Sequence, residues 1–158
     1  MKKVILVLAL ALMAFTANAQ VYIGGSIGFQ AAGGTAVVNL APEVGYNLND
    51  DMSIGGVIGW RNTVGSTFTL APYFRYFLAD LGPVRFFCDA LLELDIYSNS
   101  GQTTTSFGVG VAPGMALPLG DHLSLVGRLG RLGYFNGGFA LQVAPDMAGS
   151  SLGLYYAF

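Results

Sequence analysis

The sequence predicts an all-β fold: an eight-stranded antiparallel up-and-down transmembrane β-barrel behind a cleavable signal peptide. Three observations carry this. The chain is 53% hydrophobic and only 10% charged, whereas a water-soluble surface takes about 25 to 35% charged residues. Beyond its first residues it has no apolar stretch near the roughly 20 residues of a spanning helix. Apolar side chains instead recur at every second position, most plainly at the end, where Leu152, Leu154, Tyr156 and Phe158 alternate with Ser151, Gly153, Tyr155 and Ala157. Hydrophobicity without spanning helices is what transmembrane strands produce, because half of each strand faces lipid and half does not. A bare apolar strand at a chain end invites association in water, but in a barrel it pairs with the first strand and removes every edge.

The chain opens on Met1, Lys2 and Lys3, an apolar run from Val4 to Phe15, and then Ala17-Asn18-Ala19. That order is a signal peptide over residues 1–19 with cleavage after Ala19, since the run is too short for a membrane anchor. Residues 20–158 then form one outer-membrane β-barrel domain. Both lysines lie in the leader, which leaves five arginines against nine acids. Without a basic patch there is nothing for nucleic acid to bind, and one cysteine, Cys88, cannot staple a fold. It falls on the lipid-facing set and reads as a small hydrophobe.

Alternation broken by turn residues places the strands. In the first, Val21, Ile23, Ile27 and Phe29 share a face. The others run from Thr35 to Leu48, Met52 to Arg61, Thr67 to Leu78, Val84 to Tyr97, Ser106 to Leu117 and Leu123 to Phe135, and the eighth is the terminal one, with Phe139 to Val143 as an extension beyond the membrane. An internal repeat supports the count. Pro42, Pro72 and Pro113, each preceded by Ala, lie six residues before Leu48, Leu78 and Leu119, and each Leu is followed two residues later by Asp50, Asp80 or Asp121. Equivalent short turns are expected there, with a bulge or distorted pairing at each Pro, which cannot donate to the ladder. Longer polar connections at Ser98 to Thr105 and Asn136 to Ala148 mark the other end, the asymmetry of an outer-membrane barrel. Aromatics on the apolar face sort into two girdles: Tyr46, Tyr76, Phe86, Tyr156 and Phe158 by the short turns, and Phe29, Trp60, Phe68, Phe107 and Phe135 by the long loops. A secreted barrel with the apolar face inside is the competing reading, but the opposite face, rich in Gly24, Gly28, Gly55, Gly59, Gly108, Gly110 and Gly114, makes a poor solvated exterior.

The leader, the repeated Ala-Pro followed by Gly45-Tyr46 or Arg75-Tyr76, the Leu-x-Asp turns and the final Leu-Gly-Leu-Tyr-Tyr-Ala-Phe resemble the small outer-membrane β-barrel family of the OmpA/OmpX type from Gram-negative bacteria. The resemblance implies integral residence in the cell outer membrane, contact with its lipid and lipopolysaccharide, and delivery by the barrel-assembly machinery. It also implies an assembly signal at Leu152, Leu154, Tyr156 and Phe158. Its motifs concern folding and name no activity, cofactor or surface ligand, and a monomer is expected.

With the apolar set outward, the inward charges are Glu43, Arg61, Arg75, Arg85, Asp89, Glu93, Asp95 and Arg128, four of each sign. Glu43, Arg75, Asp89 and Arg128 fall at one height, where they are expected to meet. An eight-stranded lumen is narrow enough for side chains to fill, so this set reads as a plug, with a narrow polar path as the alternative. Enzymes on barrels of this size resemble one another in carrying a His with Ser or Asp at the outer rim. Here the only His, His122, lies in a short turn beside Asp121, so a non-enzymatic protein is expected and catalytic residues and cofactors are assigned to none. Asp50 with Asp51, and Glu93 with Asp95, are weak carboxylate pairs, and no metal site is assigned. Two functions remain: a structural, adhesive or surface-binding role through the extracellular loops, or a small pore or transport protein using the inward charges.

Overall fold

The computed structural model of the protein describes residues 21–32, 35–62, 65–99, 101–135, 137–142 and 150–158. The expected signal peptide and residues 136 and 143–148 of the expected long connection, Val143 of the extension among them, lie outside the described residues, as does the side chain of Phe29. Ten strands appear: β1 (Val21–Ala32), β2 (Thr35–Asn47), β3 (Met52–Asn62), β4 (Ser66–Leu81), β5 (Val84–Asn99), β6 (Gln102–Pro118), β7 (Leu123–Leu129), β8 (Arg131–Phe135), β9 (Gly138–Gln142) and β10 (Ser150–Ala157). All belong to one sheet, and the pairing of β5 with β6 closes it into a barrel. β7 and β8 occupy one position in the wall, both against β6. β10 fills the eighth position between β7 and β1, and β9 folds back on β8. The barrel is therefore closed, antiparallel and eight-stranded.

Closure uses the terminal strand. Pairs run from Tyr22↔Ala157 to Ser26↔Gly153, and Phe158 N donates to Val21 O at 3.0 Å. A two-residue period sorts the wall: on β4, Thr69, Ala71, Tyr73 and Arg75 are buried while Phe68, Leu70, Phe74 and Tyr76 are exposed. The apolar face is the outside and the polar face the interior.

The three Ala-Pro pairs sit with Ala41, Ala71 and Ala112 buried and each Pro outward. Every Pro keeps a partner on one side, as Pro42↔Gly25, Pro72↔Gly56 and Pro113↔Cys88. On the other side the ladder skips the Ala-Pro pair, as a residue without an N–H requires. At Pro42 and Pro72 no bulge forms, because the register is the same on both sides of the gap. At Pro113 it slips: Val111 to Gly114 of β6 face Leu132 to Arg128, three steps against four.

That extra residue, at the Gly130 break between β7 and β8, reverses which way the following side chains point. Arg131 and Phe135 turn inward and are buried, while Leu132 and Tyr134 turn outward. Phe135 thus leaves the outer girdle expected from uninterrupted alternation. Exposed Tyr134, with Trp60, Phe68 and Phe107, stands on the outer face at that end.

The repeated turns match in two of three copies. Leu48 N donates to Met52 O and Leu119 N to Leu123 O, both at 2.8 Å. In the third copy β4 continues to Leu81, its register with β5 shifting between Phe77 and Ala79, and the chain turns at Gly82 with φ 60°. The stretch expected as a loop over Ser98 to Thr105 is mostly strand, since β5 and β6 pair up to Asn99↔Gln102. Three β-branched threonines favour extended backbone, and Gly101 at φ 86° makes the tight reversal.

Candidate functional site

The lumen is shaped first by glycine. Five inward aromatic rings each lie over the glycine paired with them across a strand: Tyr22 over Gly45, Gly55 under Tyr73, Gly24 under Tyr155, Phe87 over Gly114 and Phe135 over Gly108. A methyl group at Gly24 would sit 2.6 Å from Tyr155 Cγ, and one at Gly55 2.6 Å from Tyr73 Cζ. The missing side chain lets each ring lie flat against the wall, which holds the tyrosine hydroxyls at the barrel axis.

Those hydroxyls meet the charges. Glu43 on β2, Arg75 on β4, Asp89 on β5 and Arg128 on β7 are all buried. Arg75 grips Asp89 with two bonds, Nε to Oδ1 at 2.7 Å and Nη2 to Oδ2 at 2.9 Å. Arg128 bridges both acids, donating Nε to Asp89 Oδ2 at 2.8 Å, Nη1 to Glu43 Oε2 at 2.9 Å and Nη2 to Glu43 Oε1 at 3.0 Å. Glu43 also accepts from Tyr73 OH at 2.5 Å and Tyr155 OH at 2.6 Å, and Tyr22 OH lies 2.5 Å from Tyr73 OH. Arg75 completes the ring 3.6 Å from Glu43, with its guanidinium 3.9 Å above the Phe87 ring. Two acids and two arginines cancel, and both arginines are paired in fork geometry, the arrangement in which ionised groups survive burial.

A second layer lies toward the long-loop end. Arg131 pairs with Glu93, both buried, and its guanidinium stacks 4.3 Å over Phe135. Thr69 donates to Asp95 at 2.5 Å. Arg61 is half-buried on the same side, and its Nε is the one buried side-chain polar atom without a hydrogen-bond partner among the described residues. Between the layers, Val57, Ala71, Tyr73, Asp89, Leu91 and Arg128 enclose about 10 Å³, room for a single water. Below the first layer a vestibule of about 350 Å³ opens toward the short turns, lined in part by Asn47, Ser53, Arg85 and Ser124.

Of the eight inward charges expected from parity, Glu43, Arg75, Asp89 and Arg128 form one cluster and Glu93 and Asp95 lie in the second layer. Arg85 is separate, at the short-turn end, bonded to Asp80 Oδ1 at 3.1 Å and Asp50 O at 2.7 Å. Two contributions were not foreseen. Alternation carried through Gly130 gives Arg131 no inward place, yet an arginine at a lipid-facing position is costly, and that conflict is the available signal. The second is the tyrosines, since an inward Tyr beside a carboxylate finds an acceptor.

The remaining candidates lie outside the lumen cluster. His122 is held in its turn, Nδ1 2.9 Å from Ala157 O and its ring stacked on Tyr156, so it clasps the terminal strand rather than facing a nucleophile. Leu152, Leu154, Tyr156 and Phe158 form an exposed row on the outer face of β10. Among the described residues no group of three or more His, Cys, Asp or Glu side chains could hold a metal ion.

Comparison with known proteins supports the architecture. The chain superposes on the N-terminal β-barrel domain of OprF from Pseudomonas aeruginosa with a TM-score of 0.63 at 17% identity, covering 88% of this chain and 97% of that one. It superposes on Neisserial surface protein A (NspA) with a TM-score of 0.57 at 14% identity, covering 88% and 95%. No protein-family profile and no curated protein sequence matches it. The fold is that of the small barrels to which the sequence was likened.

Proposed function

We propose that the chain is a non-enzymatic integral protein of the bacterial outer membrane, with a plugged lumen and a structural, adhesive or surface-binding role exercised from its long-loop end. The observation that carries the plug is the Glu43–Arg128–Asp89–Arg75 ring. It ties β2, β4, β5 and β7 together across the barrel axis, beside a space of only about 10 Å³. The outer-membrane location rests on the exposed apolar wall, where Leu40, Ile54, Ile58, Leu70, Leu92 and Leu154 are all outward, a surface suited to lipid. In this reading the short turns are periplasmic, lipopolysaccharide surrounds the outer rim, the row from Leu152 to Phe158 is offered to the barrel-assembly machinery, and the protein is a monomer.

The experiment is planar-bilayer conductance of the refolded chain from Gln20 to Phe158, after a heat-dependent gel shift has shown that the barrel is folded. Silence is expected. Stable ion-selective steps from folded protein would replace the plug with a pore or transport role lined by the same charges.

A further inference from the structure

We propose that the vestibule beneath the lumen ring binds a small carboxylate that also carries a carbonyl and an apolar body, the chemistry of an N-acyl amino acid or of a peptide's carboxyl end. The outer-membrane reading decides only that the mouth of this site opens to the periplasm. The cavity itself belongs to the barrel. It holds about 350 Å³, within the range of roughly 300 to 1,000 Å³ of small-molecule sites. Arg75, a member of the ring, lines its inner end, and Asn47, Asn49, Arg85 and Ser124 line the wall toward the short turns. Tyr22, Ala116 and Val126 supply apolar surface between them.

This lining has donors to spare and few acceptors. Arg75 commits Nε and Nη2 to Asp89, while its Nη1 bonds to no described residue although the side chain is only 4% exposed. Arg85 donates Nε to Asp80 and Nη2 to the Asp50 carbonyl, which leaves its Nη1 over as well. Asn47 Oδ1 already accepts from Ser53 Oγ at 2.7 Å, and Asn49 Oδ1 from Asp51 N at 2.9 Å. Both amides therefore have only N–H groups to offer. The one acid among the described lining residues, Asp50, is exposed in its turn, as is Asp80, the partner of Arg85, so water and salt screen both. The occupant follows from this inventory. Arg85 is the only cation of the lining outside the neutral ring, so it takes the carboxylate, and such charge-assisted bonds are about twice as strong as neutral ones. Arg75 offers a donor whose charge the ring already balances, which suits a neutral carbonyl at the inner end. The apolar body then covers Tyr22, Ala116 and Val126.

The test is isothermal titration calorimetry of the refolded chain from Gln20 to Phe158 in non-ionic detergent micelles, with N-acetylleucine and its primary amide. The acid should bind at least tenfold more tightly than the amide, and the side-chain amide NMR signals of Asn47 and Asn49 should move as it saturates. Arg85→Met should bring acid and amide within twofold of each other while the heat-dependent gel shift persists. Ala116→Leu, which fills the vestibule, should weaken both at least tenfold with the same gel shift. The proposal is overturned by no binding, whether the lining rejects the ligand or Gln20 occupies it. It is overturned equally by an amide as tight as the acid, by a preference that survives Arg85→Met, or by binding that leaves the Asn47 and Asn49 signals unmoved. The source is read with acetyl-Ala-Ala-Leu: affinity within threefold of N-acetylleucine assigns the site to a polypeptide end, and a tenfold loss assigns it to a free acyl amino acid, either result upholding the carboxylate site. No arm needs a bilayer, so failure of the barrel to float with lipid vesicles would defeat the outer-membrane reading and leave this site standing.

Discussion

Removing one partner of the lumen ring should cost far more than removing two. In Glu43→Gln the side-chain shape remains, but Arg75 and Arg128 face Asp89 alone and the interior gains one uncompensated positive charge. Arg128→Met leaves the opposite imbalance, with Glu43 and Asp89 sharing Arg75, which lies 3.6 Å from Glu43 and 2.7 Å from Asp89. Breaking a buried pair from one side typically costs about 3 to 5 kcal/mol, and each single variant should fall in that range. The double variant restores neutrality. It keeps the two-bond grip of Arg75 on Asp89 and leaves the glutamine oxygen as acceptor for Tyr73 or Tyr155, so its cost should fall to about 1 to 3 kcal/mol, because a neutral replacement of a buried pair is often well tolerated. The coupling between the two sites should therefore reach several kcal/mol. The assay is denaturant unfolding in lipid vesicles followed by the one tryptophan, Trp60, which lies on the exposed outer face. Losses that simply add, or single variants as stable as the parent, would refute a buried ring holding four strands together.

Three further outcomes follow from the wall. Gly55→Ala puts a methyl 2.6 Å from Tyr73 Cζ and 2.8 Å from Val44 O, so the ring must move off Glu43; overpacking and the lost bond should together cost about 2 to 4 kcal/mol. Gly138→Ala meets nothing within 4 Å and should change stability by no more than about 0.5 kcal/mol in the same unfolding assay. The slip at Gly130 is checked by single cysteines in a Cys88→Ala background: Leu132→Cys should react with a membrane-soluble maleimide and Arg131→Cys should not, the reverse pattern restoring an uninterrupted strand.

Most of the wall was legible because its signal is local. A two-residue period decides which face each side chain takes, and between breaks it is cumulative, so strands such as β3 and β5 were placed within a few residues. Glu43, Arg75, Asp89 and Arg128 could be put at one height because each is a countable number of residues from a short turn. What parity cannot supply is a change of parity. Between Leu129 and Leu132 nothing in the hydrophobic pattern marks the extra residue; only the chemical conflict of Arg131 facing lipid does. The hairpin over Ser98 to Thr105 reads as a loop from sequence for a similar reason, since polar side chains past the apolar band no longer alternate and the threonines' preference for extended backbone is the only cue left.

The charges also help to explain how one register is chosen among many. In the proposed membrane setting, closing a barrel from strands with apolar outer faces leaves little to distinguish one alignment from another, because lipid accepts any of them. A one-residue slip, however, turns every inward side chain outward. On β2, β4, β5 or β7 it would carry Glu43, Arg75, Asp89 or Arg128 toward the bilayer, where an arginine at mid-depth costs about 2 to 4 kcal/mol. A slip of two keeps the faces but moves four of the five aromatic rings off their glycine and onto a position that has a side chain, as Tyr73 would leave Gly55 for Ser53 or Val57; only Phe135 could trade Gly108 for another glycine, Gly110. Charges thus penalise odd slips and glycine–aromatic pairs penalise even ones. An apolar plug could match the stability of the ring, but it would not exclude the odd registers, and the inserted residue before Arg131 follows the same logic: the strand bulges so that the arginine enters the lumen and meets Glu93.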